Sequence, residues 1–144
     1  MIENKEPFLI DTNILVYAYG KVDDIKKHEK AKQFIGLKMH SEKFFLSSQN
    51  VAEFFSVLSN QVSSKMPAYE AKQKAKNLTE LANFVSYYED TVIEAIEIFE
   101  KHKGHFWDAL LAATMKENNI KIIYTENVKD FSKIDGIKAI NPLD

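Results

Sequence analysis

Acidic or amide side chains recur in four short motifs of the chain: Asp11 in DTN, Glu53 in SSQNVAEFF, Asp108 in FWDALLAATM, and Glu126, Asn127 and Asp130 in YTENVKDF. Each has an ordinary reading. Acids near helix starts are favoured by capping and by the helix dipole, which covers Glu53 and Asp108, and Asp11 with Asn13 has the makings of a turn. Asp108 is harder to set aside, because it interrupts an apolar run, and a partly buried carboxylate without a cation or a donor is expensive. If these motifs meet, their carboxylates repel one another and raise their own pKa values unless a divalent cation neutralises them. The donors are all oxygens, the chain has no cysteine, and His28, His40, His102 and His105 show no ligand spacing. That chemistry selects a hard cation, Mg²⁺ or Mn²⁺, over Zn²⁺. His105 reads as a loop or surface residue.

Short apolar runs at 7–11, 43–47, near 84–87, 121–125 and 137–141 predict five short buried strands. Between them, helical periodicity is predicted at roughly 13–19, 24–39, 49–63, 68–82, 91–103 and 106–118. Strands alternating with helices predict a three-layer α/β fold, a central parallel sheet covered on both faces. Ligands bind such sheets at the carboxyl ends of the strands, near the point where strand order reverses. Asp11 ends the first strand, and Glu53 follows the exit of the second, where Ser47 and Ser48 are good helix caps. The turn after the 121–125 strand carries Glu126, Asn127 and Asp130. The 106–118 helix runs into that strand's amino end, so Asp108, at the helix start, is expected on the carboxyl edge too.

With 144 residues, 45% of them hydrophobic, the chain has material for one core, and a single domain over 1–144 is expected. A net charge of -2 excludes a strongly basic nucleic-acid wrapper, so any such contact is local. All 19 basic residues are lysine, leaving no planar bidentate clamp for phosphate. Lysines at 26, 27, 30 and 32 and at 72, 74 and 76 either steer a polyanion or form solvated helix faces. MIENKEPFLI lacks the apolar stretch of a signal peptide, and no run approaches membrane-spanning length, so a cytoplasmic protein with no membrane association is expected.

The set DTNIL (11–15), NVAEF (50–54), FWDALLAATM (106–115) and YTENVKDF (124–131), followed by IKAINP (137–142), closely resembles the PIN-domain family and, within it, the VapC-like toxins. The match spans nearly the whole chain. The resemblance implies a PIN fold, an Mg²⁺- or Mn²⁺-dependent endoribonuclease activity on RNA phosphodiesters, homodimerisation, and inhibition by a cognate antitoxin. It makes Asp11, Glu53 and Asp108 the metal-binding catalytic carboxylates. The fourth family position, usually Asp, falls on Asn127, a neutral oxygen, with Glu126 and Asp130 as substitutes. A free-standing RNA-processing PIN nuclease is the alternative. Phe54, Phe55, Leu58 and Tyr17 are expected either along the groove that meets partners or in the core.

Other classes fit less well. A phosphate-signalling receiver needs an acidic pair at the first strand's exit, where DTN supplies one acid, and a DxDxT phosphatase fails for the same reason. A catalytically dead binding module would keep the fold and lose the metal.

Overall fold

The computed structural model describes residues 6–60 and 66–144. Among them five strands form one all-parallel sheet in the order β3-β2-β1-β4-β5, where β1 is Phe8–Ile10, β2 Phe44–Ser47, β3 Asn83–Val85, β4 Ile122–Tyr124 and β5 Lys138–Ile140. The chain steps outward from β1 to β3 on one side, then returns to start β4 on the other. The order therefore reverses between β1 and β4, which pair as Phe8 with Ile122, Leu9 with Ile123 and Ile10 with Tyr124.

Helices α1 (Thr12–Tyr19), α2 (Ile25–Lys38), α3 (Ser48–Asn60), α4 (Ala68–Leu81), α5 (Glu89–His102), α6 (Phe106–Glu117) and α7 (Val128–Phe131) complete the architecture. Alternation along the strands assigns the two faces. Phe8, Ile10, Phe44, Leu46, Ile122 and Tyr124 pack with side chains of α1 to α4. Leu9 and Ile123 point the other way, onto Leu111, Ala112 and Met115 of α6 and Phe131 of α7. On that side α5 packs against α6 through Ala95, Ala109, Leu110 and Ala113. The expected α/β three-layer sheet is present.

Two details differ from expectation, and a third decides between groove and core. Only the central strands are buried on both faces: Asn83 and Phe84 of β3 and Lys138 of β5 are exposed, because these strands form the sheet edges. The short helix α7 has no counterpart in the periodicity, being a single turn. Of the residues expected near a groove, Phe54 and Leu58 are fully buried core, whereas Phe55 is partly exposed. The predicted end of the third helix, 61–63, lies outside the described residues. No described helix is long and apolar enough to cross a membrane.

Gly20 ends α1 at a close approach. Its N–H donates to the Val16 carbonyl at 2.8 Å. A Cβ there would sit 2.8 Å from that same oxygen and 3.0 Å from Leu58 Cδ2. Gly20→Ala is therefore expected to destabilise the fold by roughly 1–3 kcal/mol through overpacking, lowering the melting temperature by roughly 2–4 °C per kcal/mol. Thermal melting followed by circular dichroism tests this, and an unchanged midpoint would mean that the end of α1 shifts freely.

Candidate active site

Asp11 leaves β1 at the reversal point and caps α1, accepting the Thr12 N–H at 2.8 Å through Oδ1. Its other oxygen accepts the Thr125 hydroxyl at 2.7 Å, from the residue that follows β4. Thr125 in turn accepts the Asn127 N–H at 2.9 Å. The carboxylate thus ties together the two strand exits that flank the switch point, and only 8% of Asp11 is exposed.

The second motif is built on a reciprocal cap. Ser47 Oγ accepts the Asn50 N–H, while Asn50 Oδ1 accepts the Ser47 N–H, both at 3.0 Å, so α3 starts at a fixed angle. Asn50, fully buried, also donates to Thr12 Oγ1 at 3.2 Å, locking the starts of α1 and α3 together. Asn50, Phe54 and Leu58 recur every fourth residue on the buried face of α3. Gln49 and Glu53 form the adjacent stripe, at the rim. Gln49 Nε2 donates to Glu53 Oε1 at 2.9 Å and to the Trp107 carbonyl at 3.0 Å, which links α3 to the start of α6.

That start is set by a backbone reversal. Lys103 and Gly104 adopt positive φ values of 62° and 81°, turning the chain from α5 into α6, and His105 caps the new helix. Asp108 consequently falls in the first turn of α6, on the carboxyl edge. Asn127 Nδ2 donates to Asp108 Oδ2 at 2.7 Å.

The other two candidates of the fourth motif stand differently. Glu126 accepts the Tyr17 hydroxyl at 2.8 Å and forms an ion pair with Lys27 of α2, so its charge is already matched. Asp130 stands beside the Gly104 turn, its Cγ 3.9 Å from where a Cβ would be on that glycine. It makes no direct bond to Asp108 but adds to its negative surroundings. Of the lysine run on α2, Lys27 serves this ion pair and Lys30 donates to the Leu143 carbonyl at 3.0 Å, while Lys26 and Lys32 are exposed.

The electrostatics join the three carboxylates. Burial pushes Asp11 up to about 6, against the Thr125 hydrogen bond, and the charges of Asp108 and Glu53 raise it further. Glu53 is raised by burial and by Asp108, with the Gln49 bond opposing. Asp108 is raised mainly by burial, opposed by the Asn127 bond and by His105, which is exposed as expected. None of the three has a lysine at ion-pairing distance among the described residues.

A hard cation suits this donor set. No three Asp, Glu, His or Cys side chains among the described residues are gathered tightly enough to form a metal cage. Mg²⁺ characteristically does without one, binding through one or two carboxylates and completing its octahedron with water and phosphate oxygens.

Three residues of this rim carry no signal of their own in the sequence. Thr125 and Asn50 are buried polar partners whose contacts span 114 and 38 residues. Gln49 bridges two elements 58 residues apart. Only the spacing of Ser47 and Asn50 hints at a cap.

A family model for the PIN domain matches residues 8–137, and the chain belongs to that family. Its fold is similar to that of a toxin–antitoxin complex from Klebsiella pneumoniae, with a TM-score of 0.66 at 22% identity over 93% of this chain and 96% of that one. It is similar to VapC20 of Mycobacterium tuberculosis, a Sarcin-Ricin loop cleaving toxin, with a TM-score of 0.68 at 19% identity, covering 88% and 94% of the two chains. FitAcB from Neisseria gonorrhoeae gives a TM-score of 0.68 at 18% identity, covering 94% and 97%. No curated protein sequence matches the chain.

The raised value of Asp11 sets a pH dependence for the metal-free protein. Its folded value of about 6 lies above the ordinary 3.8, so the folded state holds this proton more tightly than the unfolded chain. The stabilisation is whole below pH 3.8 and is lost as the pH rises through about 6. At about 1.4 kcal/mol per pKa unit, the loss amounts to roughly 3 kcal/mol. In EDTA, Asp11→Asn keeps a good helix cap and is expected to flatten this decline and to melt higher than wild type at pH 8. A mutant that melts lower at pH 8 would show that the hydrogen bonds of Asp11 outweigh its buried charge.

Proposed function

We propose that this protein is a divalent-metal-dependent endoribonuclease, acting in the cytoplasm as the toxin of a toxin–antitoxin pair. The observation that carries the reading is the set of Asp11, Glu53 and Asp108, from β1, α3 and α6, on the rim beside the switch point, with each carboxyl raised by burial and with mutual repulsion adding to Asp11 and Glu53. Membership of the PIN family supports nuclease chemistry, and the likeness to toxins and toxin–antitoxin complexes supports the biological role.

Of Asp11, Glu53 and Asp108, one or two would hold Mg²⁺ or Mn²⁺ directly and the rest through its bound water. These residues would thereby place Lewis-acid chemistry at the rim, which would polarise a phosphate and lower the pKa of an attacking water. The protein's own groups do the positioning. Thr125 fixes the Asp11 carboxylate, Gln49 that of Glu53 and Asn127 that of Asp108. Asn127 thereby does for Asp108 by hydrogen bonding what a fourth acid would undo by repulsion. The substrate is RNA, approached without arginine, and the partners are a second copy of the chain and an antitoxin that covers the acidic rim.

Cleavage of RNA is expected in Mg²⁺ or Mn²⁺ and absent in EDTA. Asp11→Asn and Asp108→Asn should each nearly abolish it, with the double mutant scarcely worse, because groups acting as a unit are non-additive. Full activity in both single mutants would remove these residues from the mechanism.

The metal is tested apart from turnover by Asn127→Asp, which places a second carboxylate against Asp108. The variant is expected to melt lower than wild type in EDTA and to gain more from Mn²⁺. For wild type, Mn²⁺ at ten times its dissociation constant adds about 1.4 kcal/mol. Equal Mn²⁺ increments in wild type, Asn127→Asp and Asp108→Asn would place the ion elsewhere.

A further inference from the structure

Beside the carboxylates lies a cavity of about 690 Å³ that the chemistry above does not use. Three segments of the carboxyl edge form it. Successive turns of α3 contribute Ser48, Ala52 and Ser56, whose small side chains leave the hollow, together with Gln49 and Glu53. The exit of β3 contributes Tyr87, and the start of α6 contributes Trp107. Glu53 belongs both to this wall and to the carboxylate rim, so cavity and rim are continuous.

Its chemistry is unlike that of the rim. Trp107 is 58% exposed and Tyr87 37%, although Trp107 sits in an apolar run of the sequence, one residue before Asp108. Solvent-facing aromatic rings of this size forgo the burial that ordinarily stabilises them. No lysine lines the hollow, so it is not a phosphate seat. Gln49 braces the wall. Its amide nitrogen is committed to two acceptors, Glu53 and the Trp107 carbonyl, which fixes the flip and leaves Oε1 as the acceptor end. That oxygen has no hydrogen-bond partner among the described residues and is buried behind the wall, out of reach of the hollow.

We infer that this cavity is a nucleobase subsite: one unstacked base of single-stranded RNA lies against Trp107 and Tyr87, while the adjoining phosphodiester lies at Glu53 and Asp108. The volume falls in the range of small-molecule pockets. Aromatic faces beside hydrogen-bonding groups are how single-stranded RNA bases are held. The subsite rests on the proposed ribonuclease reading and gives it a determinant of where the chain is cut.

Trp107 is the only tryptophan, so its fluorescence reports the cavity alone. The full chain is titrated, in Ca²⁺ with the RNA verified intact, with a mixed-sequence single-stranded RNA hexamer and with an abasic sugar–phosphate oligomer of equal length. Saturable quenching by the RNA and none by the abasic oligomer is expected. In parallel, Trp107→Ala and Tyr87→Ala are each expected to weaken binding of labelled RNA and raise KM roughly five- to hundredfold, with Trp107→Phe recovering most of the loss. Both positions are solvent-facing, and circular dichroism melts check that the variants fold.

Equal quenching by the abasic oligomer, or unchanged RNA affinity in both alanine variants, overturns the subsite. So does conversion of a dimer to a monomer by Trp107→Ala in light scattering, since a second copy of the chain would then cover the cavity. The two readings fail separately. RNA that quenches Trp107 but is never cut in Mg²⁺ or Mn²⁺ leaves the subsite and removes the nuclease. RNA cut equally well by wild type and Trp107→Ala leaves the nuclease and removes the subsite.

Discussion

The rest of the site depends on one buried carboxylate at the point where the sheet changes direction. Asp11 ends the central strand, caps α1 and accepts the Thr125 hydroxyl from the neighbouring strand's exit. A charge in that position is costly, and a neutral residue would cap α1 nearly as well. Asn would cap as well as Asp, so helix formation does not call for the second oxygen or the charge. What the charge adds is a strong oxygen donor fixed at the junction of two strands and a helix, with its orientation settled by two hydrogen bonds.

The same economy recurs around it. Asp108 stands in the first turn of α6, where the dipole tolerates negative charge, and Glu53 in the second turn of α3; each is held by an amide, Gln49 or Asn127, rather than by a cation. Amide donors orient a carboxylate without neutralising it. Where neutralisation does occur, it is on Glu126, whose partner Lys27 comes from the first turn of α2. The rim thus keeps three charges unmatched and pairs off the one that lies to the side.

How much of this was legible in the sequence follows from the range of each interaction. The strands and the six longer helices depend on local periodicity, and they emerge within a residue or two, the end of α3 aside, where the prediction runs outside the described residues. The depth of β3 and β5 was not legible, since a short apolar run looks the same at the edge of a sheet as at its centre. Asp108 stood out because it interrupts an apolar run, and Asp11 because it ends a strand. Thr125, Asn50 and Gln49 did not, because polar residues at helix starts and strand exits have an ordinary explanation and their partners are 38 or more residues away. Trp107 does not stand out either: nothing within FWDALLAATM marks it, and the helix turns it outward beside Asp108.

That orientation is a consequence of Asp108 itself. In α6, Ala109, Leu110, Ala112 and Ala113 are buried, and Asp108 faces the rim. Each residue advances the helix by about 100°. Trp107 is therefore turned about 100° from Asp108, towards the start of α3, where Gln49 binds its carbonyl. A carboxylate in the first turn and an outward-facing aromatic ring beside it are then one decision about the phase of α6. The phase is set by the Lys103 and Gly104 reversal and held by the buried alanines of the α5 contact. The acidic rim and the aromatic cavity consequently shift together if that phase changes, which makes the packing of α5 on α6 the structural determinant of how the two are spaced.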